Sequence, residues 1–227
     1  LIEPRIFAYF KRHGIPFGQF YRDVYWMFPD QLTTVAPLRK FIMRILYRFD
    51  LALMDKTGAH LFVPTAKMGT LLPAFSGRCT PLPPGTTPVD SAHPDQLSLF
   101  YVGGIGPHYR MEELFKAVKR VPEVRLTACF PKAGWDSVKA DYWQYMGDNI
   151  RIVHASNKEM PAFYDETSAA LLFVEPSEYR EFAAPMKFYE ALSFGKPVIT
   201  TKHTHAGREC ERLGVGVALD YDADALE

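Results

Sequence analysis

Two rhythms of apolar residues divide this chain. From residue 97 onward, apolar runs recur at Leu97–Val102, Val124–Phe130, Ile150–Val153, Ala169–Val174, Pro197–Thr200 and Val215–Leu219. Between them lie stretches of helical character, at Met111–Arg120, Trp135–Met146, Asn157–Asp165, Pro185–Phe194 and Ala206–Leu213. Short apolar runs bounded by turn residues read as buried strands, and strands that alternate with helices predict a parallel sheet covered on both faces. The expectation is a doubly wound α/β domain.

The first part of the chain is less regular. Arg5–Gly14 has apolar residues at helical spacing, basic residues late and glycine at the stop, so it reads as a helix. Ile15–Trp26 is a strand and loop dense in aromatics, closing on Arg22-Asp23 and an aromatic cluster. That pair reads either as a ligand contact at a strand end or as a structural salt bridge. A basic amphipathic helix runs from Ala36 to Lys56 and ends near Gly58; His60–Val63 is a short strand, and Thr65 is placed to cap a small helix. From Ser76 to Gln96 periodicity is lost in Pro81-Leu82-Pro83-Pro84-Gly85-Thr86-Thr87-Pro88, a proline-stiffened linker. We therefore expect domains at residues 1–84 and 85–227, the first with too few elements to be complete. The absence of an initiator methionine fits a fragment or a trimmed chain.

Composition narrows the classes. With 227 residues, 48% hydrophobic and 23% charged, the chain reads as globular, and 26 basic residues balance 26 acidic ones. That balance removes any general argument for a nucleic-acid partner. Cys79, Cys129 and Cys210 are odd in number and scattered, which suggests neither a disulfide framework nor a zinc site and points to a reducing cytoplasm. No apolar run of membrane-spanning length occurs, and the first five residues are not a signal peptide. Charge is uneven locally: residues 1–50 carry eight basic and four acidic side chains, 8 − 4 = +4. The basic helix 36–56 is read either as a solvated face or as a peripheral contact with an anionic membrane.

Candidate chemistry gathers around Pro185–Phe194. Pro185 suits the first turn of a helix, while Gly195 and Pro197 suit its end. Lys187 then sits where the partial positive charge of unpaired N–H groups disfavours a cation, an arrangement that a bound phosphate would offset. Glu190, three residues on, lies on the same face and can accept hydrogen bonds from the vicinal hydroxyls of a ribose. The plainer reading of the two is a surface ion pair. Val102-Gly103-Gly104-Ile105-Gly106-Pro107-His108-Tyr109-Arg110 follows a predicted strand, and its glycines let backbone N–H groups approach a diphosphate. Lys132 is read as an exposed lysine, and the acids of 175–181 as mostly solvated. His203-Thr204-His205 has no further ligands in pattern, so no metal site is assigned. Ser193 lies outside any nucleophile elbow.

The pattern Pro185-x-Lys187-x-x-Glu190-Ala191-Leu192-x-x-Gly195-Lys196-Pro197-Val198-Ile199 resembles the C-terminal half of the family 4 retaining, nucleotide-sugar-dependent glycosyltransferases. The resemblance covers most of residues 97–219 and, more loosely, 5–85. It implies a GT-B-like fold, two Rossmann-like domains facing a cleft, the N-terminal one incomplete here. It also implies a hexosyltransferase that moves sugar from a UDP- or GDP-linked donor to a glycan, lipid-linked or other hydroxyl acceptor with retention, using no cofactor and no bound metal. Pro185, Met186 and Lys187 would hold the diphosphate, Glu190 the ribose, Gly103 and Gly104 the phosphate approach, and the His154 loop the base. The family's first glutamate falls on Phe182, with Glu181 one place away, and its loop arginine falls on Gly104. Glu181, His108 and Arg110 are the candidates to substitute. Other readings on the same plan are an epimerase or phosphorylase, or a non-catalytic nucleotide-sugar module.

Overall fold

A computed structural model describes residues 4–227; the reading of the leading Leu1-Ile2-Glu3 as not part of a signal peptide lies outside the described residues. The chain forms two compact units. One comprises the residues up to Pro84 together with Phe182–Ala184, the other Gly85–Glu181 and Pro185–Glu227.

In the first unit, α1 (Pro4–Arg12) precedes β1 (Gly18–Phe20). Next comes α2 (Pro37–Thr57), which opens on a proline whose missing N–H costs nothing in a first turn and stops at Gly58 in the left-handed region. After it come β2 (His60–Val63), α3 (Ala66–Thr70) and β3 (Cys79–Pro81). The strands pair in parallel in the order β1-β2-β3. β3 lies inside the stretch expected to be linker. Its three residues carry no alternation, and they become a strand through the register Leu61↔Cys79, Phe62↔Thr80, Val63↔Pro81. As an edge strand it tolerates the proline.

Leu61 and Val63, which share one face of β2, are fully buried, as are Val24, Leu32, Met54, Met68 and Phe75. Trp26 stacks on Tyr47 with ring centroids 5.4 Å apart and donates its indole N–H to the Tyr21 hydroxyl at 3.2 Å. Burial pushes the Tyr21 phenol up to about 12. Asp23 accepts the backbone N–H of Tyr25 at 2.9 Å, a loop-shaping contact. Thr65 caps α3 as expected: its hydroxyl accepts the Met68 N–H at 3.1 Å and donates to the Phe182 carbonyl at 2.7 Å. The Phe182 ring is buried, 5.2 Å from that of Phe28.

The second unit holds β4 (Ser98–Val102), α4 (Glu112–Arg120), β5 (Arg125–Cys129), α5 (Lys132–Tyr142), β6 (Ile150–Val153), α6 (Met160–Asp165) and β7 (Ala169–Leu172). It continues with α7 (Met186–Ser193), β8 (Val198–Thr201), α8 (His205–Leu213), β9 (Gly216–Leu219) and α9 (Ala223–Leu226). All six strands are parallel, in the order β6-β5-β4-β7-β8-β9. Successive β4 residues serve opposite cores. Leu99 and Tyr101 pack with Leu114, Phe115, Phe130 and Trp135, whereas Phe100 packs with Tyr164, Phe188, Phe194 and Cys210 on the other face.

Several boundaries differ from expectation. α5 begins at Lys132, with Pro131 as its extended N-cap, because the proline's fixed φ ends the strand loop sooner than the apolar pattern of Trp135 suggests. α6 begins only at Met160. α7 begins at Met186, and Pro185 is its extended N-cap rather than a first-turn residue. The proline-rich connector also docks on this unit. Val89 N–H donates to Ser193 O at 2.7 Å, and Ala92 N–H to an Asp165 carboxylate oxygen at 3.1 Å. Lys196, whose chain is buried, donates its ammonium to the Ala92 carbonyl, and that burial lowers its pKa.

Candidate functional site

In a doubly wound sheet, ligands bind outside the strand carboxyl ends where the strand order reverses. Here the reversal lies between β4 and β7, both of which pair with each other while their sequence neighbours lead away in opposite directions. The loops after these strands are residues 103–111 and 173–185. They contain Gly103, Gly104, His108, Arg110, Glu181 and Pro185, and α7 follows directly with Met186, Lys187 and Glu190. His154 follows β6, two strands from β4, about 10 Å across the sheet.

The loop after β4 is built around its glycines. Gly103 N–H donates to Cys129 O at 3.1 Å, and the Tyr101 hydroxyl donates to Gly104 O at 2.9 Å. A Cβ on Gly104 would lie 2.8 Å from the exposed Tyr109 ring, so a side chain at this place requires that ring to move. Gly106, at φ 124°, closes a turn in which it and Tyr109 exchange backbone hydrogen bonds of 2.9 and 3.3 Å.

The candidate cations have defined partners. Arg110 is exposed and pairs with Glu112 at 3.4 Å and Glu175 at 3.7 Å; these carboxylates hold its guanidinium above its usual range. His108 lends its backbone carbonyl to the guanidinium of Arg180. Lys187 and Glu190 are joined to each other at 2.7 Å, both half-buried. The Tyr164 hydroxyl donates to the other Glu190 oxygen at 3.3 Å, and burial together with that carboxylate raises the phenol's pKa. The acid is thereby fixed one turn along α7. Glu181 offers its backbone carbonyl to Arg208. His154 is exposed and donates Nδ1–H to Phe130 O at 2.9 Å.

Arg180 escaped the sequence reading. It donates to Glu175 O at 2.9 Å and to His108 O, and lies 5.2 Å over the Tyr109 ring, so it ties the loop after β7 to the loop after β4. The signal was a single arginine within the acidic tract Glu175–Glu181. Tyr164 escaped too, since its contact with Glu190 joins residues 26 apart. Lys132 is bound to Asp136 at 2.6 Å on the surface of α5. His205 opens α8 with its N–H on Arg180 O; its Nε2 is buried without a partner, and burial lowers its pKa. Among the described residues no group of three potential metal ligands comes together.

Parallel sheets, a six-stranded order with a central reversal, a glycine turn and a lysine-bearing helix beside that reversal define a Rossmann-like α/β protein. The family model described as glycosyl transferases group 1 matches residues 88–226, and the chain belongs to that family. No curated protein sequence matches it. Among solved structures it is similar to WaaG, a glycosyltransferase involved in lipopolysaccharide biosynthesis, with 16% identity over 97% of this chain and 70% of that one and a TM-score of 0.59. It is also similar to Alr3699/HepE of Anabaena, solved with UDP and glucose: 13% identity, 79% and 54% coverage, TM-score 0.61. For WaaB, a lipopolysaccharide outer core galactosyltransferase in its apo form, the values are 13%, 73%, 56% and 0.55. At these identities the likeness is one of fold, that of GT-B glycosyltransferases. The chain spans little more than half the length of the HepE and WaaB structures.

Proposed function

We propose that this protein transfers a sugar from a nucleoside-diphosphate donor, UDP- or GDP-linked, to a glycan, lipid-linked or other hydroxyl acceptor, in the cytoplasm. The observation that carries the proposal is the Lys187–Glu190 pair on α7, beside the strand-order reversal of a chain that belongs to the glycosyl transferases group 1 family. Donor binding opens the 2.7 Å pair. The ammonium and the first N–H groups of α7 take the diphosphate, and the carboxylate, steadied by Tyr164, takes the ribose hydroxyls. The glycine turn after β4 supplies close backbone approach to the phosphates, and His154 borders the base. Transfer proceeds with retention and without a divalent metal. Positive groups already in place stabilise charge developing on the leaving diphosphate, the role a metal has elsewhere. The second unit holds the donor and the first supplies contacts to the acceptor.

A second reading has its own support. Phe182, where the resembling family has its first acid, is buried against Phe28, and Gly104, where it has an arginine, is crowded by Tyr109. Both favour a module that binds a nucleotide-sugar without consuming it. The two readings separate in one assay: release of UDP or GDP from a panel of sugar donors, with and without hydroxyl acceptors, at fixed protein. The transferase reading expects acceptor-dependent release that falls in Lys187→Ala and Glu190→Ala. Binding of donor without any release in the whole panel assigns the module instead.

A further inference from the structure

α2 is oriented against the ordinary rule that the apolar stripe of a surface helix faces the core. Tyr47 and Met54 face inward, Tyr47 stacked on Trp26 and Met54 fully buried. On the opposite side, Leu38, Phe41, Ile42, Ile45, Leu46 and Phe49 follow the helical spacing of one continuous face and are all exposed, Leu38 at 71%, Phe41 at 63% and Phe49 at 53%. At 1.5 Å per residue this face runs for about 17 Å along the axis. Six large apolar side chains in one exposed row mark an interaction surface rather than scattered surface hydrophobes.

Charge identifies the occupant. Residues 37–49 hold Arg39, Lys40, Arg44 and Arg48 and no acid. At 100° per residue, Arg39 falls on one flank of the apolar row and Arg48 on the other, positions from which long basic chains reach past an apolar contact to polar headgroups. A second copy of the chain laid on this face would set its own Arg39 and Arg48 against these flanking cations, which repels. An anionic bilayer complements both features at once. No helix among the described residues is long and apolar enough to cross a membrane.

We propose that α2 lies in the plane of an anionic lipid surface, with Leu38, Phe41, Ile42, Ile45, Leu46 and Phe49 set into the acyl boundary and Arg39 and Arg48 among the headgroups. This goes beyond sugar transfer and does not depend on it. Arg44 has a second duty, donating Nε–H to Trp26 O at 3.3 Å, and is therefore not a clean probe.

The test is co-sedimentation of the whole chain with vesicles of phosphatidylcholine alone and of phosphatidylcholine with about a third phosphatidylglycerol, at low and high salt. The expected result is binding to the anionic vesicles only, weakened by salt. Arg39→Gln and Arg48→Gln each lower the partition coefficient about fivefold. Phe41→Ser and Ile45→Ser lower it further while leaving circular dichroism unchanged, as befits exposed residues. Equal binding to both vesicles, binding to neither, or a doubled mass in solution that Ile45→Ser abolishes would each overturn the proposal, the last by assigning the face to a second copy. Donor turnover on a soluble acceptor is unaffected by these substitutions, so failure here is distinguishable from failure of the transferase reading.

Discussion

Lys187 and Glu190 carry opposite charges three residues apart on a helix, a pair worth only a few tenths of a kcal/mol at a surface. The strength of the proposed site therefore lies in what replaces the pair, not in the pair itself. Lys187→Ala is expected to move thermal stability by less than about 1 kcal/mol. The same change should weaken donor binding by about 1.5–3 kcal/mol, roughly ten- to hundredfold, the range for hydrogen bonds to charged groups. Melting curves and donor KM measured on one preparation separate the two effects. Phe182 poses the converse case. Restoring the acid of the resembling family by Phe182→Glu removes a ring packed on Phe28 and buries a carboxylate, so it should cost about 3–5 kcal/mol rather than improve turnover. Denaturant midpoints measure that loss directly, and a stable variant with raised activity would refute it. At this scale the sequence disclosed Lys187 and Glu190 through spacing. It hid Arg180 and Tyr164, whose contacts to His108 and Glu190 bridge 72 and 26 residues and exist only once the chain is folded.

Among the elements, the alternating half was readable because its central strands are largely buried runs of apolar residues, although the edge strand β9 leaves Gly216 and Val217 exposed. β3 was not, since three residues in a proline-rich tract gain strand geometry from β2 and not from their own pattern. The start of α5 was obscured by Pro131 and Gly134, which look like loop residues although the first is an N-cap. The connector around Val89–Ala92 read as part of a proline-stiffened linker, and Ser193, Asp165 and Lys196 bind it to the second unit. α8 supplies a pH signature. Burial depresses His205 below its usual 6.5, with Glu209 acting to raise it and Arg208 and Arg212 to lower it. The unfolded chain then binds the extra proton. The contribution of the neutral ring to stability is complete above about 6.5 and is lost as pH falls through the folded-state value. A protonated imidazole would also oppose the positive end of the helix. His205→Gln should flatten the fall in melting temperature between about pH 7 and pH 5, and an unchanged slope would refute this assignment.

At the level of the molecule, the two units differ in how much their sequence reveals. The six-stranded unit follows from alternation, and the family model covers nearly all of it, whereas the three-stranded unit is assembled from short strands and takes in Phe182–Ala184 from far along the chain. No local pattern announces that return. The proposed chemistry also makes a claim about the whole protein, namely that fixed positive groups do the work of a divalent ion. Turnover in excess chelator should equal turnover in magnesium or manganese within about twofold, and loss of activity that added metal restores would contradict it.

If α7 holds a nucleoside diphosphate through Lys187, calorimetric titration of UDP, GDP and ADP into the parent protein and Lys187→Ala will show it. The parent is expected to bind UDP or GDP, and the variant to lose roughly ten- to hundredfold in affinity for the same nucleotide while melting at nearly the same temperature. Equal affinities in parent and variant, or no binding of any of the three, would contradict it.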